Sequence, residues 1–122
     1  MRKLLAISAA IEAAAGLVLV LLPPLFTELL LGTILISPTS HLVARLAGTA
    51  LLALSVACWF ARNNVASDAA RGVVAAMFLY NTGAVAILAY AGGVLGFFSV
   101  LLWPAVVLHA ALAVWCIACM RK

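Results

Sequence analysis

Glu12, Arg45, Asn81 and His109 each stand inside a run of apolar residues. A carboxyl, a guanidinium, a carboxamide and an imidazole can pair with one another, hold a ligand or pass a proton. In hydrocarbon such groups are costly, so they face a bundle interior or a wet cavity. Three chemistries are open to this set. Glu12 and Arg45 could form an ion pair, which either sets helix register or serves a site. Glu12 could exchange a proton for a substrate, because a carboxyl group in a low dielectric favours its protonated form. Glu12 and His109 could act as acid and base, although nothing in the sequence positions a substrate between them.

Helical spacing brings more polar residues into the same picture. Ser8, Glu12 and Ala15/Gly16 share one face, and small residues there allow close helix approach. His41, Arg45, Gly48/Thr49, Leu52 and Ser55 form a second stripe, and His109, Ala113 and Cys116 a third. Tyr80-Asn81-Thr82-Gly83 adds a polar cluster to a fourth apolar run. Together the stripes predict one interior pocket around Glu12, Arg45, Asn81 and His109, supported by Ser8, Thr49 and Tyr80. Arg45 lies near the start of its run, so its long side chain reaches either toward Glu12 or out to the interface. As single residues, Asn81 also fits an interhelical hydrogen bond, His109 a packing histidine, and Glu28 the outer interface. A haem held by His41 and His109 is a poor fit, because their depths differ by about half the bilayer.

The elements that must carry these residues are set by composition. Of 122 residues, 69% are apolar and 8% charged. Soluble domains run about 45–50% apolar and about 25% charged. The sequence therefore predicts an all-α integral membrane protein, a single domain built as a four-helix bundle. Spans are expected at about 4–22, 42–61, 69–91 and 97–120. Pro23-Pro24 end the first span, and Arg62-Asn63-Asn64 close the second. Residues 25–36 are too short to cross a roughly 30 Å core and predict an interfacial helix. Ser40 is the expected cap of the second span, Gly92-Gly93 and Gly96 a tight turn, and Pro104 a kink. Met1-Arg2-Lys3 resembles the start of a secretion signal, but Glu12 and the run to Leu22 fit a retained span better.

The charges mark orientation. The formal net charge is +4, but the basic residues flank apolar runs and form no patch for nucleic acid. Arg2, Lys3, Arg62, Arg71, Arg121 and Lys122, six of the seven, fall on one side of a four-span chain. The positive-inside rule then places both termini on the cytoplasmic side. Trp59 and Trp103 fall where interfacial aromatic residues belong. Cys116-Ile117-Ala118-Cys119 forms a C-x-x-C with no second pair or histidine pair to complete a zinc site. Cys58, Cys116 and Cys119 are read as packing residues. No phosphate loop, nucleophile elbow or metalloprotease motif occurs, and the cofactor, like the ligand, is unknown from the sequence.

Ala10-Ile11-Glu12-Ala13-Ala14-Ala15-Gly16, then Pro23-Pro24, Leu29-Leu30-Leu31-Gly32 and Ala44-Arg45-Leu46-Ala47-Gly48, resemble small bacterial four-helix membrane proteins of the DoxX-like kind. Some of those accompany quinone-linked oxidoreductases as membrane subunits. The resemblance covers the first half of the chain and implies no catalytic residues. Ala10-Ile11-Glu12 also looks like the first span of small multidrug exporters. The lysine expected soon after it and the Tyr-Ala-x-Trp-like stretch of that family are absent. The first expectation is thus a non-enzymatic module that binds a lipophilic ligand or a membrane partner, with its oligomeric state left open. A proton-coupled carrier using Glu12 is second, and a membrane enzyme using Glu12 and His109 third.

Overall fold

A computed structural model describes residues 1–121; Lys122, one of the basic residues of the orientation argument, lies outside the described residues. Five helices and no strands occur among the described residues: α1 (Arg2–Leu21), α2 (Pro23–Leu31), α3 (Pro38–Ala61), α4 (Asp68–Gly93) and α5 (Leu102–Met120). By length and apolar composition, α1, α3, α4 and α5 can each cross a membrane. The nine residues of α2 reach only about 13 Å. The chain is the expected all-α, membrane-spanning four-helix bundle with a short helix between its first two spans. Leu42, Leu46, Leu79 and Ile87 are exposed on its flanks, as a bundle solvated by lipid requires and water disfavours.

Local chemistry sets the ends, and it moves several of them from where the sequence placed them. Pro23 and Pro24 end α1 and also open α2, where a missing N–H costs nothing. Gly32 stops α2 with a left-handed φ of 70°, so residues 33–36 do not continue the helix as expected. Ser37, not Ser40, caps α3: its Oγ accepts the Ser40 N–H at 3.1 Å, and Pro38 takes the first helical position. Gly92 and Gly93 belong to the last turn of α4, and the left-handed turn falls at Gly96 (φ 72°). Pro104 makes no kink inside α5. The helix starts at Leu102, so the proline sits in the first turn, where its missing N–H is no loss.

The four long helices pack chiefly as two pairs, α1 with α3 and α4 with α5. Gly16 and Gly48 let α1 and α3 touch backbone to backbone. A methyl group on Gly48 would lie 2.9 Å from the Gly16 carbonyl oxygen and from Val20 N. One end of that contact is tied by Ser55 Oγ, which donates to the Ala9 carbonyl at 2.8 Å. The pairs join around Leu4, Leu5, Ala9, Cys58, Val74, Met77, Leu112, Cys116 and Cys119, at the end where α1 begins and α5 finishes. All three cysteines are free and buried. Arg2, Lys3, Arg62, Arg71 and Arg121 follow from the same up-and-down order and share that end. At the opposite end, α2 is latched to the α4–α5 loop. Ser99 Oγ sits 2.8 Å from both the Leu29 and Leu30 carbonyls and accepts the Leu102 N–H at 3.2 Å.

Candidate functional site

Between the two helix pairs, beyond the shared core, lies a cleft of about 650 Å³. Ala15 of α1, Leu51 of α3, Ala84 and Leu88 of α4 and Ala105 of α5 give it apolar walls, and Phe26 and Leu30 of α2 cover its outer end. Ile87, Leu101 and Leu108 on its rim remain exposed. The cleft therefore opens sideways, onto the flank of the bundle. Its polar contributors are Glu12, Tyr80 and His109. A second hollow, about 780 Å³, lies among Met1, Val65, Arg71 and Met120. Arg71 is solvent-exposed there and meets Asp68 at 3.8 Å, and none of the mid-span polar residues reaches it.

Glu12 and Asn81 are held in place by helix packing. Glu12 sits on α1 one turn from Gly16, at the close α1–α3 contact, and is only 1% exposed. Its Oε1 has no hydrogen-bond partner among the described residues. The Tyr80 hydroxyl faces the same carboxyl group. Ser8, one turn earlier on α1, is fully buried, and its hydroxyl likewise lacks a partner. Leaving two such groups dry costs stability, and a helix face that carries both invites a polar occupant.

Asn81 and His109 join α4 to α5. Asn81 Nδ2 donates to the Met77 carbonyl at 2.7 Å, which turns Oδ1 toward the imidazole. His109 Nδ1 lies 2.7 Å from that oxygen. An amide oxygen accepts, so Nδ1 carries the hydrogen and donates. The Tyr80 ring stands edge-on to His109, with centroids 5.6 Å apart, and so touches both the carboxyl and the imidazole. Glu12, Tyr80, Asn81 and His109 thus form one polar floor beneath an apolar cleft. An interhelical hydrogen bond is what Asn81 makes.

Arg45 and Thr49 do not join them. Arg45 is exposed and forms no ion pair among the described residues. Ser55 faces Ala9 and Gly48 faces Gly16, so α1 and α3 run antiparallel in step. Arg45 then stands level with Leu19, seven residues and about 10 Å along the bundle from Glu12. It also points about 60° away from the Gly48 line, at about 100° per residue. Thr49 points farther round the same side, and its hydroxyl is satisfied by the Arg45 carbonyl at 2.9 Å. The expected Glu12–Arg45 pair is therefore absent. His41 is tied locally, with Nε2 2.9 Å from the Leu35 carbonyl. No group of His, Cys, Asp and Glu among the described residues could hold a metal ion.

The Ser99 latch had no signal in local sequence, because its partners lie 69 and 70 residues away. Ser55 was visible as a small polar residue on the Gly48 stripe, but its partner was not. No protein-family model, curated protein or solved structure matches this chain.

Proposed function

We propose that this chain is a bacterial inner-membrane protein, termini inward, that binds a lipophilic ligand entering its cleft sideways from the bilayer. The observation that carries this is the pairing of an apolar cleft, open on the flank, with a polar floor of buried Glu12 and half-buried Tyr80 and His109. A molecule with an apolar body and one polar end matches both parts. The outer end is covered by α2, so the open flank is the simplest route in. The role that fits is a non-enzymatic binding or accessory module, in keeping with the DoxX-like resemblance of the first half. The basic residues gathered at one end favour the inward orientation.

The test is extraction. Protein purified in mild detergent is extracted with organic solvent, and the extract is compared by mass spectrometry with that of Ala84→Phe, which fills the cleft. One lipophile enriched at near-stoichiometric amount with wild type and lost from the variant is the expected result. Equal recovery from both proteins contradicts the reading.

Glu12 also favours a second reading, a proton-coupled carrier, because it is a buried carboxyl that lines the cleft. Acid-driven flux of the co-purified molecule in proteoliposomes distinguishes carrier from module. Dependence of that flux on Glu12 supports the carrier, and binding without flux supports the module.

A further inference from the structure

We infer that the ligand is a lipophilic amine, bound with its ammonium group on the Glu12 carboxylate and its apolar chain along the cleft. This rests on the cleft being a lipophile site, and goes further by naming the head group.

The hydrogen-bond inventory of the floor supports it. Glu12 Oε1 is buried and unpartnered, and an ionised carboxylate can only accept. The Asn81 amide fixes the other acceptor. Its Nδ2 is committed to Met77, so Oδ1 takes the His109 Nδ1 hydrogen, and the neutral imidazole is left with a bare lone pair on Nε2. Turning the amide over would set Oδ1 against the Met77 carbonyl and lose that bond, so the orientation with Oδ1 toward the imidazole keeps both. The floor thus offers two acceptors, with the Tyr80 hydroxyl beside the first. A head group rich in donors satisfies both acceptors when Glu12 is ionised, and an anionic head group is repelled there.

Charge selects among the donors. No cation reaches Glu12: Arg45 is exposed and about 10 Å along the bundle, and the one ion pair among the described residues is Arg71–Asp68. The desolvation of the Glu12 carboxyl is already incurred in the empty protein. An arriving ammonium must lose its own water, but it meets a partner that has none to give up. A primary ammonium brings three donors and a positive charge. If Glu12 is protonated before binding, its proton passes to the neutral amine, and the bound pair is the same.

Three probes with one chain length test this by native mass spectrometry in a non-ionic detergent: dodecylamine, dodecan-1-ol and dodecanoate. In wild type, dodecylamine should bind at least about tenfold more tightly than the alcohol, and dodecanoate most weakly. Glu12→Gln should bring the amine down to the alcohol's affinity, with helicity by circular dichroism equal to wild type showing that the variant is folded. Alcohol or dodecanoate binding as tightly as amine in wild type overturns the head-group assignment and leaves the cleft standing. An amine preference that survives in Glu12→Gln overturns it as well. Saturable binding of no probe, or unchanged binding of all three by Ala84→Phe, overturns the cleft reading itself. If Glu12→Gln does not fold, the wild-type ranking alone decides.

Discussion

At the end that carries the basic residues, the four long helices meet around Leu5, Cys58, Val74, Met77 and Cys116, with no exposed surface on any of them. At the other end the two helix pairs stand apart, around a cleft of about 650 Å³ that α2 covers and the flank leaves open. The polar floor of Glu12, Tyr80 and His109 lies where one regime gives way to the other. Lipid tails are as apolar as leucine, so close packing, not escape from solvent, holds helices together here. A tight half can therefore support an open half. The closed end supplies stability and holds the floor residues still, and the open end can be shaped for a ligand at little structural cost.

Substitutions on either side of that boundary should differ in a ranked way. Met77→Ala removes a fully buried side chain from the closed end. It should destabilise the protein in detergent by about 2 kcal/mol or more, read as the loss of helicity on denaturant titration. Leu108→Ala, on the rim of the cleft, should cost less than about 1 kcal/mol; equal losses would erase the distinction between the ends. Gly48→Ala forces a methyl group against the backbone of α1 at 2.9 Å. A cost of about 1–3 kcal/mol is expected by the same titration, and an unchanged midpoint would mean that α1 and α3 are not in backbone contact. Ala84→Phe should stay within about 1 kcal/mol of wild type, because it enters empty space. A loss like that of Met77→Ala would show the open half to be as tightly packed as the closed one. The smallest effect belongs to Arg45→Gln, within about 0.5 kcal/mol, as for an exposed side chain with no partner. A double-mutant cycle with Glu12→Gln should be additive within about 0.5 kcal/mol; a larger coupling would restore the ion pair.

Much of the architecture was legible because its punctuation is chemical. Pro23-Pro24, Arg62-Asn63-Asn64 and the apolar runs between them mark the spans without reference to tertiary structure. Glu12, Asn81 and His109 were legible as a set because a polar group in the middle of a span has few places to go but inward. Arg45 was misplaced for a specific reason. Its spacing puts it on the Gly48 stripe, but two helices share a stripe only where their axes meet, and its level depends on a register that Ser55 and Ala9 set across 46 residues. Pro104 was misread because a kink and a first turn differ only in where the helix begins. The Ser99 latch and the cleft are products of how two helix pairs diverge, which no local pattern encodes.

The most direct test is where a bound chain sits. Protein in bilayers is irradiated with a long-chain alkylamine bearing a diazirine near the chain end, and adducts are mapped by peptide mass spectrometry. Occupancy of the cleft predicts saturable labelling on residues 84–88 and 101–108, competed by unlabelled dodecylamine and abolished by Ala84→Phe. Labelling spread evenly over the lipid-facing flanks, including residues 42–46, and unchanged by that substitution would contradict the site.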